Sequence, residues 1–495
     1  MTRSFFPVGV LSLGLLTAQV LSALFIYLSN VRIYASLTAV NYAGYLAVPN
    51  LRVMAGLREF APAFYGGLFF TFTLGAGISL ITMGSVWIWD RLFSRNKRLS
   101  LLFLLPWAGS IVGANWQGFN PMATSFFILV PAVVLPASLK WRTVQNDNGL
   151  LFSSMVFWIP FVLLLVLWLV KIDSQMLLSF RDNILMSNSI GIRINDFYYA
   201  HSLYPAEVLK SLDQKLIRTC DLDSVGDDPV KDALGKVLLS NDYIDVGNRA
   251  ETDLKILVNG DVLIFENSGK TILGTQLKDF LSNPGPDLTK ISVKSDRFVL
   301  FRHLTFLSLM IGLPIAAYIV LQATFCSISS CFLSSGISRV AASIICFAIG
   351  AVLLVPAFIE KEKIIPVKEL SAVLGSEDWQ DRVAALKVLL QNNMEIGDFT
   401  PGRKIMKSPH IPERYWLVRV LGISRKPETY KELLSFLDDL HPNVVCMAYR
   451  SLGLRQDRNA VGEIIKRLET SDDWYEQWYA YKALRALGWK QTKSN

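Results

Sequence analysis

The sequence predicts a polytopic α-helical membrane protein of about seven transmembrane helices, with a small inserted α+β domain and a C-terminal tail of repeated helices. Two observations lead to this class. Of the 495 residues 52% are hydrophobic and the mean hydropathy is +0.36, which is too apolar for a soluble chain. Apolar runs long enough to cross a bilayer recur along the chain, and two polar blocks, 172–300 and 360–495, stand between or after them.

The apolar runs give the membrane architecture. The predicted spans are about 8–28, 63–89, 100–116, 122–139, 151–170, 304–323 and 340–359. Residues 1–171 therefore form a membrane domain of five helices, and residues 301–359 form a transmembrane hairpin. No charged residue or histidine lies in the middle of a span, which argues against an ion-coupled transporter.

Residues 30–62 are harder to place. They contain an apolar run of fifteen residues between Arg32 and Arg52, which is short for a span. We expect an interfacial or re-entrant segment here. Whether 33–56 crosses the bilayer stays open, and a span there would invert the orientation of everything that follows.

Basic residues in the short loops set the orientation. With the N-terminus inside, the cytoplasm holds eight positive charges, from Arg3, the four of 91–98, Lys140, Arg142 and Arg339. The opposite arrangement internalises only Arg32, Arg52 and Arg58. Because the hairpin returns the chain to the side it left, both polar blocks share one face, which is extracytoplasmic in this arrangement. We expect an integral protein of a bacterial inner (plasma) membrane.

The inserted block, 172–300, has the pattern of a small α+β domain. Helical patterns come first, and a β-meander follows, with the Asn259-Gly260 pair as a hairpin signal. The predicted strands are 254–258, 261–266, 271–273 and 291–293.

An aromatic patch follows the fifth span closely. It consists of Phe197, Tyr198, Tyr199 and Tyr204. Aromatic side chains in this position suit docking onto the membrane surface or onto helix ends, although a domain core explains the patch about as well.

Four segments of the tail align on their ends. They are 381–390, 413–422, 444–453 and 479–488, which are spaced by 32, 31 and 35 residues. A basic residue recurs three positions before each end, as Lys387, Arg419, Arg450 and Arg485. Shorter helical patterns lie at 367–374, 428–437 and 460–468. The tail resembles the HEAT-like repeat family over about 125 residues, and this resemblance implies a short α-solenoid with a surface for protein partners.

The last helix of the tail concentrates large aromatic residues. They are Trp474, Tyr475, Trp478, Tyr479 and Tyr481. They occupy two neighbouring stripes, and a terminal repeat should turn its outer side to water. The two hypotheses are a docking surface for a partner or for the membrane, and a capping core.

The sequence holds few candidates for chemistry. His201 and Cys220 are the only ingredients for a Cys-His nucleophile, and their spacing is not specific, so we lean against an enzyme. The cysteines form no C-x-x-C pair and the acidic group at 221–228 lacks a calcium-ligand ladder, so no metal or cofactor is expected. No basic stripe with interleaved aromatics appears in either polar block, which gives nucleic-acid binding no support.

The favoured hypothesis is a non-enzymatic membrane-anchored interaction or assembly scaffold. Its partners are the lipid bilayer and one or more proteins that bind the C-terminal repeats. The alternative is a permease-like or lipid-handling protein whose kinked spans form the working site and whose soluble domains regulate it.

Overall fold

The computed structural model describes residues 5–94, 96, 101–144, 151–359, 365–396 and 402–493. It is mostly helical, at 73%, with one five-stranded sheet. Within these described ranges, five helices are long and apolar enough to cross a membrane: Phe6–Tyr42, Phe60–Asp90, Pro121–Lys140, Val299–Ser329 and Gly336–Val355. They overlap the first, second, fourth, sixth and seventh predicted spans.

The third and fifth predicted spans have a different form. Within the described residues the third is a short apolar helix, Leu104–Ala114. The fifth belongs to a bent pair, Ile159–Lys171 and Gln175–Leu185, with an angle of 107° between its halves.

The helices of the first membrane part are α1 (Phe6–Tyr42), α2 (Leu51–Gly56), α3 (Phe60–Phe70), α4 (Ala76–Leu92), α5 (Leu101–Ala114), α6 (Pro121–Val144) and α7 (Leu151–Lys171). The hairpin contains α14 (Val299–Leu307), α15 (Leu313–Ser329) and α16 (Ser335–Ile359). Five-residue π-helical segments join α3 to α4 and α14 to α15.

The first half of the 30–62 segment, for which we expect an interfacial or re-entrant form, continues α1 as one helix. At 37 residues, α1 is roughly 55 Å long, and a hydrocarbon core of about 30 Å cannot contain it. The extension stays helical because Ile33, Leu37 and Val40, four and three residues apart, join an apolar cluster with Ile244 of the inserted domain. The first helix therefore reaches out of the membrane part to the inserted domain.

The inserted block contains α8 (Ser174–Phe180), α9 (Ser189–His201), α10 (Leu203–Leu209), α11 (Asp228–Ser240), α12 (Leu277–Ser282) and α13 (Gly285–Ser295). Its strands are β1 (Arg218–Asp221), β2 (Tyr243–Asp245), β3 (Leu254–Asn259), β4 (Val262–Asn267) and β5 (Lys270–Gln276).

The strand order is β2-β1-β3-β4-β5, with β1 parallel to β2 and β3 and the rest antiparallel. Strands β3 to β5 form the meander that the sequence predicts, and Ser268 and Gly269 both have positive φ in its second turn, as a type I′ turn requires. The strand predicted at 291–293 is wrong. These residues belong to α13, where Leu288 and Ile291 lie on one buried helical face.

The tail contains four short helices, α17 (Leu370–Leu374), α19 (Gly402–Ile405), α21 (Pro427–Ser435) and α23 (Ala460–Thr470), and four long ones, α18 (Trp379–Gln391), α20 (Ile411–Ile423), α22 (Pro442–Arg455) and α24 (Trp474–Ala486). Each short helix contacts the long helix that follows it, and the long helices stack side by side. The long helices begin 32, 31 and 32 residues apart.

A hydrogen bond recurs at the start of the long helices. The fourth residue of α18, α20 and α24 donates through its side chain to the carbonyl three positions before the helix. The pairs are Arg382 with Ser376, Arg414 with Ser408, and Gln477 with Ser471. In α22 this position is Val445, and the bond is missing. Three of the four long helices therefore begin with the same hydrogen-bond arrangement.

Gly422 sets the close contact between α20 and α22. A Cβ added to Gly422 would lie 2.7 Å from Cβ and Oγ of Ser451 and 3.0 Å from its Cα, so the neighbouring backbone would have to move. Gly462 in α23 has no atom within 4 Å of such a Cβ.

We expect Gly422→Ala to lower the free energy of unfolding by about 1–3 kcal/mol, because overpacking outweighs the gain in helix propensity. Gly462→Ala is the control, and we expect it to stabilise by roughly 0.5–1 kcal/mol. Thermal unfolding of the full-length protein in detergent, followed by tryptophan fluorescence, measures both. Equal shifts would contradict the close packing.

Candidate functional site

One face of the stacked long helices is covered by the chain's own residues 174–209, here called the groove segment. Every long helix contacts this segment within its first two turns. The contacts are Gln380 Nε2 to Asn183 Oδ1 at 2.8 Å, Trp416 Nε1 to Asp182 Oδ2 at 2.8 Å, Asn195 Nδ2 to Asn443 Oδ1 at 2.9 Å, and the hydroxyls of Tyr475 and Ser202 at 2.7 Å. The tail and the inserted block are thus docked along their length.

Asp182 is the centre of this contact. Its side chain is 1% exposed, and its carboxylate lies 2.6 Å from the Arg181 guanidinium and 3.3 Å from Lys387 Nζ. Trp416 Nε1 donates to it as well, and Arg181 stacks over the ring of Tyr415 at 3.9 Å. A buried carboxylate is tolerated when cations and hydrogen-bond donors surround it in this way.

We expect Asp182→Asn to destabilise the docked tail by roughly 3–5 kcal/mol, because the change leaves Arg181 and Lys387 without their buried counter-charge. Limited proteolysis of the full-length protein in detergent should then cleave the tail faster. Asp196→Asn is the matched control. Asp196 is in the same segment, 3.6 Å from His441, but its side chain is 50% exposed, so little change is expected. Similar proteolysis of the two variants would refute this role for Asp182.

The loop after α1 forms a second anchor. Asn50 caps α2 through its Oδ1 and donates its Nδ2 to the carbonyls of Leu468 and Ser471, each at 2.9 Å. Its backbone N–H donates to Gln477 Oε1 at 2.7 Å, and Gln477 is fully buried. One loop therefore satisfies polar groups of α2 and of the end of the tail together.

The end of the tail adds further bonds. The Tyr481 hydroxyl donates to Asp242 at 2.8 Å, and Arg485 Nε lies 3.1 Å from the same carboxylate. The Gln491 side-chain amide bonds both the N–H and the carbonyl of Leu46. Arg485 and Tyr481 thus contact the inserted domain.

The two predicted aromatic patches meet each other. Trp474, 8% exposed, packs edge-on against Tyr204 with ring centroids 5.1 Å apart, and Tyr475 lies 4.7 Å from Tyr199. Trp474 and Tyr475 of the last helix are therefore packed in an intramolecular contact.

The remaining members of the two patches lie further out. Trp478 and Tyr479 are half-buried and pack on each other at 5.0 Å. Phe197 and Tyr198 are 42% and 49% exposed, and Phe197 lies 6.0 Å from Tyr65 at the start of the second candidate membrane helix.

A row of cations runs across the stacked helices. Each long helix carries one at its ninth residue, namely Lys387, Arg419, Arg450 and Lys482, here called the basic row. The helix starts identify Lys482 as the fourth member. Alignment of the segments on their ends predicts Arg485 at this position, but the Arg485 side chain contacts Asp242 of the inserted domain.

The basic row is poorly neutralised. Lys387 pairs with Asp182, but Arg419, Arg450 and Lys482 form no ion pair with any described residue. Burial lowers the pKa of Arg419, and the nearby Arg450 lowers it further. Burial, and then Lys210 and Arg450, lower the pKa of Lys482.

Aromatic rings lie between the cations of the row. Arg419 is 4.4 Å from the centroid of Trp416, and Lys482 is 3.9 Å from that of Trp478. No such stripe is visible in the sequence, because the cations are 31 or 32 residues apart and come together only when the helices stack.

Glu476 lies in the first turn of α24. Its N–H donates to Asp473, the N-cap, at 2.9 Å, and its carboxylate accepts from the Ser471 hydroxyl at 3.2 Å. Burial, and then the charge of Asp473, raise the pKa of Glu476 to about 7.

This shift predicts a pH dependence. The folded chain holds the Glu476 proton more tightly than the unfolded chain, whose carboxyl has a pKa of about 4.5, so its contribution to stability is full below pH 4.5 and is lost as the pH rises through about 7. We expect Glu476→Gln to remove part of this slope and to raise the unfolding midpoint at alkaline pH. The exposed Glu469→Gln is the control. An unchanged slope in Glu476→Gln would contradict the assignment.

The structure places His201 and Cys220 in separate surroundings. His201 stacks against Tyr65 and Phe197, with centroids 5.1 and 4.7 Å away. Cys220 is fully buried in the sheet core, and burial, with Asp245 next, raises the pKa of its thiol well above the ordinary value. Among the described residues no contact joins the two, and a sealed thiol of high pKa is a poor nucleophile.

Several residues of this interface carry no sequence signal of their own. Asn50, Asp182 and Gln491 are single polar residues without a repeat or motif. Lys482 does carry a sequence signal. It would align with Lys387, Arg419 and Arg450 if the four segments were aligned on the starts of their helices and not on their ends.

No family model, curated protein or solved structure matches this chain. The class of the protein is therefore defined by its fold alone. Its described residues form a mostly helical chain with five candidate membrane helices, a small sheet and a helical tail that is docked on an inserted segment.

Proposed function

We propose that the chain is an integral membrane protein that acts as a non-enzymatic interaction or assembly scaffold. In this proposal the tail is a HEAT-like α-solenoid, clamped to the inserted domain and to the first membrane helix. The observation that carries it is the docked groove segment, which occupies one face of the stack, while Arg419, Arg450 and Lys482 of the basic row form no ion pair with a described residue. A tail fixed in this way presents a rigid surface at the membrane.

The solenoid part of the proposal draws on equivalent positions in the repeat. The eleventh residue of every long helix is a buried leucine, namely Leu389, Leu421, Leu452 and Leu484. These leucines belong to one continuous apolar cluster that runs through all the helix pairs. A core shared between neighbouring units is the physical basis of solenoid stability.

The contact between inserted domain and tail supports a common membrane face for both. Two modules that share buried hydrogen bonds cannot lie on opposite sides of a bilayer. Together with the basic loops, this favours the extracytoplasmic side of a bacterial inner membrane as part of the proposal.

The partner surface that we propose is the exposed part of the basic row, at Arg450 and Lys482. Both side chains are exposed, and neither forms an ion pair with a described residue. Cations that lack acidic neighbours attract an acidic partner, and electrostatic complementarity of this kind sets specificity and association rate.

The test is recovery of partners with the full-length protein after mild cross-linking in native membranes. We expect a defined protein to co-purify, and Arg450→Glu combined with Lys482→Glu to reduce its recovery at least tenfold. Lys236→Glu, an exposed charge reversal on the inserted domain, is the control and should leave recovery unchanged. Failure to recover any protein, with the chain folded, would refute the scaffold.

The alternative, a permease-like or lipid-handling protein, is favoured by one feature. The π-helical segments Thr71–Gly75 and Ser308–Gly312 contact each other inside the candidate membrane part. Gly77 permits the approach, since a Cβ there would lie 2.0 Å from Ser308 Oγ. Single π-bulges in α-helices are frequently found at functional sites. A solute retained by the purified chain without any protein partner would favour this alternative over the scaffold.

A further inference from the structure

A cavity of about 270 Å³ lies where the last turn of α7 meets α8 and the long helices α18 and α20. Cationic side chains line it from three elements: Lys171 at the end of α7, Lys387 in α18 and Arg419 in α20. Asp173 is the only carboxylate of the lining, and its Oδ1 accepts the Met176 N–H at 2.7 Å. The cavity therefore carries a net positive charge.

Arg419 is the least neutralised of these cations. Lys387 is already paired with Asp182, whereas Arg419 is half-buried, stacks on Trp416 at 4.4 Å and forms no ion pair with a described residue. Holding a guanidinium partly out of water costs free energy unless an anion approaches it.

The uncharged lining of the cavity combines polar residues with Met176, Leu178, Leu390 and Trp416, and the cavity lies beside an exposed apolar surface of α7. Met176 and Trp416 are buried in its wall. The residue before Lys171 is Val170, whose side chain is 73% exposed, and Val166 one turn earlier is 50% exposed. An apolar helix surface that ends at a cationic pocket matches a molecule with an anionic head and an apolar body.

We infer that this cavity binds the phosphate-bearing headgroup of an anionic phospholipid. Lys171 and Arg419 face the phosphate, and the acyl chains lie along the exposed valines of α7. Basic pockets between membrane helices are known to bind anionic headgroups. The site goes beyond the scaffold proposal and uses residues other than its partner surface, so either can fail without the other.

The test uses the full-length protein in nanodiscs of phosphatidylcholine with a minor share of phosphatidylglycerol, and native mass spectrometry counts the lipids that stay bound. Wild type should retain phosphatidylglycerol in preference to phosphatidylcholine, and Arg419→Gln should reduce that preference about fivefold. Lys171→Gln changes the same cavity from the membrane side and should act alike, which keeps the test valid if Arg419→Gln disturbs the tail. Lys466→Gln, an exposed cation of α23, is the control.

Two results would overturn the inference. One is the absence of a preference in wild type, or an equal preference in all variants. The other is binding of inorganic phosphate to the delipidated protein in detergent that depends on Arg419, because this would assign the cavity to a soluble phosphate rather than to a lipid.

Discussion

The docked arrangement depends on polar groups that neither half of the contact could bury alone. The Asp182 carboxylate can be buried because Lys387 and Trp416 of the tail replace its hydrogen bonds to water. The side-chain amides of Asn195 and Asn443 hydrogen-bond to each other across the same contact. Buried polar groups without partners cost several kcal/mol, so separating the two surfaces would have to rehydrate every one of them.

That constraint also explains the unusual reach of the first helix. The extension of α1 beyond a bilayer's thickness carries the loop with Asn50 to the tail, where Asn50 donates to carbonyls of the last turn of α23 and of Ser471, the residue after it. Helix ends leave backbone carbonyls without partners, and here a distant loop supplies the donors. The membrane part, the inserted block and the tail are thus linked by hydrogen bonds as well as by the chain.

The docking decides which surfaces remain for other molecules. Trp474 and Tyr475 of the last helix pack on Tyr204 and Tyr199, whereas Arg450 and Lys482 stay exposed on the tail. The basic row divides along its length. Its outer members suit an acidic protein surface, and its inner end, beside α7, forms the cavity that we assign to a phospholipid headgroup.

The sequence by itself determined the elements whose signal is local. The length of the apolar runs predicts the candidate membrane helices. The alternation of apolar and polar residues and an Asn-Gly turn predict strands β3 to β5, and a spacing near 32 residues predicts the long helices of the tail. The interface has no such period. Asn50 and Asp182 are single polar residues, and their role depends on partners hundreds of positions away.

Only the tertiary structure decided three further matters. It showed that residues 30–42 continue α1, because the apolar face that holds them helical is supplied by the inserted domain. It assigned Lys482 to the basic row in place of Arg485, because Lys482 is the ninth residue of its helix, as the other three cations are of theirs. It showed that Trp474 and Tyr475 of the last helix pack against Tyr204 and Tyr199 of the groove segment. The sequence pattern predicts an aromatic helix face, but the residues that cover this face are distant in sequence and are brought to it only by the tertiary fold.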